Sequence, residues 1–146
     1  MCLIGKSCMS DKVFFDTNLW VYLYSKDPVD KYSQVNAIFL AKIQSLIISS
    51  QVLGELYNVL IKKKLRTQEQ SQEILSQLIN GFDILEIDAQ KVLEATRINC
   101  RYSYSYWDSL IIATALQSNC SILYSEDMQH DQVIEGNLRI NNPFAG

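Results

Sequence analysis

Proline is nearly absent, with only Pro28 and Pro143 in 146 residues, and glycine contributes five. That scarcity excludes a Pro- or Gly-rich linker, a collagen-like repeat and a low-complexity disordered chain. Histidine occurs once, and Cys2, Cys8, Cys100 and Cys120 form neither a CxxC pair nor a Cys/His ligand spacing. A structural zinc site is therefore excluded, and reduced thiols are expected, in keeping with a cytoplasmic address. No run of about 18 apolar residues is free of charge, so a spanning helix is excluded, and the opening stretch Cys2 to Gly5 is too short for a signal-peptide core. An overall basic field is also missing, since 13 Lys plus Arg face 16 Asp plus Glu, for a net charge of −3. Net charge alone thus gives no argument for nucleic acid.

What is present is ordinary globular material, 48% apolar and 20% charged. Residues 1–146 fit one domain, and a chain of this size buries roughly 70% of the surface it exposes when unfolded. Residues 1–10 carry no periodic pattern and are expected to form a loosely ordered leader, with Met9 as good a start as Met1.

Val13 to Phe15 is a short β-branched and aromatic run, the pattern of a strand covered on both faces. Helical patterns follow at Leu19 to Tyr24 and Val29 to Lys42, the second with Asp27 as a cap and Pro28 in its first turn. Leu46 to Ile48 reads as a second strand. Ser49 or Ser50 then caps a helix with Val52, Leu53, Leu56, Val59 and Leu60 on one face. Thr67 and Gln70 are spaced for a capping box on a helix that reaches Ile79 and stops at Asn80 and Gly81. Phe82 to Ile87 reads as a third strand. Asp88 opens a helix to Cys100, with Val92, Leu93, Ala95, Thr96 and Ile98 inward, and Ser105 opens another, through Gln117. Ile122 to Tyr124 is a fourth strand, and Leu138 to Ile140 a fifth. Strands alternating with helices predict an α/β domain with a parallel sheet and right-handed crossovers. Ligands of such sheets lie beyond the strands' carboxyl ends where the strand order reverses, which falls between the first and fourth strands if the first pairs with the second on one side and the fourth on the other.

Four carboxylates stand at the junctions of apolar runs with helices: Asp16, Glu55, Asp108 and Asp127. Each has an ordinary alternative. Asp16 suits a helix cap, Asp108 the positive end of its helix, and Asp127 a turn. Glu55 is harder to explain that way, because Val52 and Val59 flank it on the buried stripe, where a carboxylate loses hydration. Taken together, they predict one site for a hard cation. Magnesium takes octahedral oxygen ligands and keeps waters, manganese suits the same donors, and zinc lacks His and Cys ligands here. Such an ion activates water for phosphodiester hydrolysis. The basic cluster Lys62, Lys63, Lys64 and Arg66 reads either as a solvated helix end or as RNA contacts.

The ordered segments Phe15 to Asn18, Ser50 to Glu55, Trp107 to Ala113, Leu123 to His130 and Leu138 to Phe144 resemble a PIN-domain nuclease, specifically the VapC-type toxin ribonucleases of bacterial toxin–antitoxin pairs. The resemblance implies a three-layer α/β/α sandwich around a central parallel sheet of four to five strands. It also implies an acidic site of Asp16, Glu55, Asp108 and Asp127 that binds Mg2+ or Mn2+ and cuts RNA. Thr17, Asn18 and Ser125 match the family's supporting polar positions. Relatives work as homodimers and are held inactive by an antitoxin whose C-terminal segment crosses the groove. One departure is Asp131, where many relatives have a glycine that permits positive φ. Tyr102, Tyr104 and Tyr106 read as packing residues or as base-stacking ones.

Two rival readings come from other classes. A receiver-like phosphoacceptor domain also gathers acids around magnesium, but it needs a Lys after its fifth strand, and none follows Lys91. A catalytically silent binding module with the same fold remains.

Overall fold

The computed structural model describes residues 12–146. The expected leader, both N-terminal cysteines and the choice of start lie outside the described residues. Chain order is β1 (Val13–Phe15), α1 (Thr17–Ser25), α2 (Val29–Lys42), a single 3-10 turn, β2 (Leu46–Ser49), α3 (Ser50–Lys62), α4 (Gln68–Gly81), β3 (Asp83–Leu85), α5 (Ala89–Tyr102), α6 (Tyr106–Gln117), β4 (Ile122–Tyr124), β5 (Val133–Ile134) and β6 (Leu138–Asn141).

Val13, Phe14 and Phe15 are fully buried, and β1 runs parallel to β2 on one side and β4 on the other, with Phe14 opposite Ile47 and Leu123. The sheet order is β3-β2-β1-β4-β6-β5. The crossover point therefore falls where the alternating pattern placed it, between β1 and β4. Helices flank the sheet, with α1 packed on α2 and α3, α3 on α4, and α5 on α6. Helix α6 is buried continuously from Ser109 to Ala115, as expected of a helix apolar on every side. Phe15, Trp20, Phe39 and Phe82 join sheet and helices in a set of tilted and edge-on ring contacts.

The helix starts follow local chemistry. Ser49 caps α3 through its hydroxyl, Thr67 and Gln70 form the capping box of α4, and Asp88 caps α5. Ser50 is not the cap; its hydroxyl accepts from Ile87 N instead.

The five parallel strands expected are present, and among the described residues Val133 and Ile134 add a sixth by folding back antiparallel on β6. Other expectations are corrected. The third strand spans only Asp83–Leu85, at the sheet edge beside β2, with Asp83 exposed and Ile84 and Leu85 half-buried against the core. Pro28 itself takes the N-cap position of α2, and no side chain caps that helix. Val92, Leu93 and Thr96 point outward. The small Ala95 lets α5 approach Leu110 and Ala113 of α6 closely, so Ala95 and Ile98 define the inward stripe and turn the larger side chains away. Cys100 is exposed and Cys120 buried, both as free thiols. Among the described residues, no helix is long and apolar enough to cross a membrane.

Candidate active site

The carboxyl ends of β1 and β4 open into a cleft of about 660 Å³, lined by Asp16, Thr17, Asn18, Glu55, Lys62, Asp108 and Asp127 among others. Every acid singled out in the sequence reaches it. Asp16 is the last residue before α1 and combines both readings of its position, since Oδ1 accepts from Thr17 N at 2.8 Å as a helix cap while the side chain faces the cleft. Its Oδ2 accepts from the buried Ser125 hydroxyl at 2.8 Å, and its own N–H donates to Tyr124 O, extending the β1–β4 ladder. Burial pushes the Asp16 carboxyl up to about 6; the donors Ser125 and Thr17 oppose this, and the charges of Asp108 and Glu55 add to it.

Glu55 lies on α3, one turn past its start. It accepts from the Thr17 hydroxyl across the cleft and from Gln51 Nε2 at 3.0 Å on its own helix. Asp108 sits in the first turn of α6, where its N–H donates to Ser105 Oγ. Its carboxyl is also held above the ordinary range, first by burial and then by the charges of Asp127 and Glu55. Asp127 follows β4, is exposed to the cleft, and accepts from Asn18 Nδ2 at 2.8 Å. Its N–H donates to Ser125 Oγ. Thr17, Asn18 and Ser125 therefore each bond an acid of the cleft.

The basic cluster divides. Lys62 lines the cleft, whereas Lys63 and Lys64 are exposed beyond the end of α3 and do not line it. Arg66 turns inward, with its guanidinium donating to Leu65 O at 2.8 Å and Tyr24 O at 3.1 Å. Tyr102 and Tyr104 are engaged with the C-terminal hairpin region, their hydroxyls bonded to Glu135 and Gln132. Asp131 adopts φ 67 and its N–H donates to Ile140 O at 2.8 Å, so the turn that glycine would permit is made by aspartate. His130 is exposed after β4 and its Nδ1 accepts from Asn142 N.

Gln51 and Asn58 were not anticipated, although their spacing of four and three residues from Glu55 puts them on the same helix face and was a usable signal. All the acidic donors are oxygens, no His or Cys among the described residues lines the cleft, and Asp16 and Asp108 are each raised by burial and further by the negative charge of neighbouring acids. That donor set fits a hard divalent cation, which typically bonds one or two carboxylates and keeps several waters. Among the described residues, no three acidic, His or Cys side chains already form a closed ligand cluster. The acids ring the cleft instead of converging on one point.

The family profile of the PIN domain matches residues 13–135, most of the chain. The chain belongs to the PIN-domain family. No curated protein matches it closely enough to be counted a relative. Among solved structures, this PIN domain is similar to a chain of a toxin–antitoxin complex from Klebsiella pneumoniae, with TM-score 0.69 and 20% identity over 91% of this chain and 98% of that one. It is similar to VapBC2 from Rickettsia felis bound to promoter DNA, with TM-score 0.64 and 26% identity over 89% and 97%. It also resembles VapC20 of Mycobacterium tuberculosis, a toxin that cleaves the sarcin–ricin loop, with TM-score 0.65 and 16% identity over 77% and 87%.

Proposed function

We propose that this PIN domain is a Mg2+- or Mn2+-dependent endoribonuclease, acting in the cytoplasm as the toxin of a toxin–antitoxin pair. The observation that carries the reading is that Asp16, Glu55, Asp108 and Asp127, spread over the whole sequence, line one cleft with Lys62 beside them. Asp16, Glu55, Asp108 and Asp127 would hold the ion, which when bound would activate water and screen the charge developing at the phosphate.

The chain's own residues set up the rest. Thr17 and Ser125 fix Asp16 from two sides, so the most buried acid cannot swing away. Thr17 orients Glu55, and Asn18 orients Asp127. Lys62 offers a cation to an RNA phosphate, a contact that positions the strand without reading sequence. Among the described residues no serine or cysteine lines the cleft and the Thr17 hydroxyl donates to Glu55 as its orienting partner; the nucleophile in this reading is water. The similar structure solved as a toxin–antitoxin complex supports an antitoxin partner, and the family resemblance supports a homodimer and an antitoxin segment lying across this cleft.

Purified, partner-free protein should cleave RNA with Mg2+ or Mn2+ and stop in chelator. Asp16→Asn and Asp108→Asn should each slow cleavage on the order of 100-fold or more while preserving the fold, a loss typical of removing one preorganised electrostatic contact. Equal rates for the parent and both variants would remove the acids from catalysis. The open ring of acids favours a second reading, a silent binding module. That reading predicts no cleavage by the parent at any metal concentration.

A further inference from the structure

Two acids stand side by side after β4, Glu126 and Asp127, yet only Asp127 lines the cleft. Glu126 points the other way, toward α1 and α2. Its Oε2 accepts from Lys31 Nζ at 2.7 Å and its Oε1 from the Tyr22 hydroxyl. The Lys31 ammonium in turn lies 4.8 Å from the centre of the Phe144 ring and 5.4 Å from that of Tyr22. Those two rings meet edge-on at 5.7 Å. Asn142 closes the group, donating from Nδ2 to Glu126 O at 3.5 Å and accepting from Phe144 N at 2.9 Å.

We propose that Lys31 and Tyr22 are positioning residues for Asp127: by holding Glu126 outside the cleft, they leave Asp127 as the acid that enters it. Without that hold, Glu126 would be a fifth carboxylate next to a site already crowded with negative charge, and the short turn that carries both acids would rotate. The pair is partly open to water, with side-chain exposures of 33% for Lys31 and 16% for Glu126, so its contribution to stability is small. Its consequence is orientation. The backbone of this turn is tied by Ser125 N to Asn141 O, Asp127 N to Ser125 Oγ and Asn142 Nδ2 to Glu126 O, and of its two acidic side chains Asp127 is held by Asn18 and Glu126 by Lys31 and Tyr22.

The inference rests on the nuclease reading for its functional consequence, so its test has one arm with Mn2+ and one without metal. Electron paramagnetic resonance of free Mn2+ measures binding by the parent, Lys31→Met, Lys31→Arg, Tyr22→Phe, Asp127→Asn and the Lys31→Met/Asp127→Asn double variant. Lys31→Met should weaken Mn2+ binding at least about tenfold, as loss of an outer support of a ligand does, and Lys31→Arg should restore it. In the Asp127→Asn background Lys31→Met should add nothing, because both act through one carboxylate. Additive effects, or a change under about twofold on the single Lys31→Met substitution, would overturn the proposal. The metal-free arm follows the side-chain amide resonances of Asn18, which donates to Asp127. They should move in Lys31→Met toward their positions in Asp127→Asn, and unmoved resonances would also overturn it. If the parent neither binds Mn2+ nor cleaves RNA, the nuclease reading falls and the Asn18 resonances alone decide this one.

Discussion

At the scale of the residue, Asp16 shows how one side chain meets a structural and a chemical demand together. It caps α1 and anchors Ser125, yet burial and neighbouring acids hold its carboxyl near pH 6 in the metal-free protein. The folded state therefore binds the Asp16 proton more tightly than the unfolded chain, whose ordinary value is 3.8. Its contribution to stability is complete below about pH 4 and is lost as pH rises through about 6, a span worth about 3 kcal/mol at 1.36 kcal/mol per unit. Asp16→Asn removes that loss. Urea unfolding in chelator should show the variant gaining on the parent by up to about 3 kcal/mol between pH 4 and pH 7. A difference between the two proteins that does not change with pH would contradict the burial of an uncompensated charge. The acid itself was visible in the sequence as a carboxylate closing an apolar run; its proton affinity was not, because it depends first on burial in the folded core and then on Ser125, which lowers it, and Asp108, which raises it, arriving from far along the chain.

At the scale of the element, the end of α3 separates two cations that look equivalent in the run Lys62 to Arg66. Lys62 is the last residue of α3 and lines the cleft. Lys64 takes φ 59, and the N–H groups of Leu65 and Arg66 both return to Leu60 O, so the chain reverses and carries Arg66 under the end of α1. Arg66→Ala should lower the unfolding free energy by about 1 to 3 kcal/mol, since the carbonyls of Tyr24 and Leu65 lose a charged donor, without changing affinity for RNA. Lys62→Ala should leave stability within about 0.5 kcal/mol and weaken RNA binding. Denaturant melts and fluorescence anisotropy with a labelled RNA separate the two, and the reverse pattern would exchange their roles. Helix starts were the most legible elements, because a cap such as Thr67 with Gln70 needs only four consecutive residues. Helix faces were less so. The orientation of α5 was set by how closely Ala95 lets it approach α6, and nothing within the helix itself records that distance.

At the scale of the whole molecule, the sheet order brings four acids from distant parts of the chain to one cleft at the carboxyl ends of the central strands. Folding thus assembles the site, and an ion that binds the folded form alone must stabilise it. Mn2+ at 100 times its dissociation constant should add about 2.7 kcal/mol, seen as a higher melting temperature, and Asp108→Asn should abolish most of that gain. A melting temperature indifferent to Mn2+ would argue against the metal site in this PIN domain.

The alternation of the five parallel strands with helices, the caps Thr67, Asp88 and Ser105, and the four acids at the junctions were legible in the sequence alone, because each is marked by side chains within a few positions of one another. Tertiary structure decided the rest. It chose Asp127 over Glu126 for the cleft through Lys31, 95 residues away, and Lys62 over Arg66 through the reversal after α3. It also added an antiparallel strand at the edge, where Val133 and Ile134 pair with β6. The Lys31–Glu126 and Arg66–Tyr24 contacts join groups remote along the chain, which no local pattern of residues can encode, whereas the two-residue strand Val133–Ile134 is too short to carry a periodic signal.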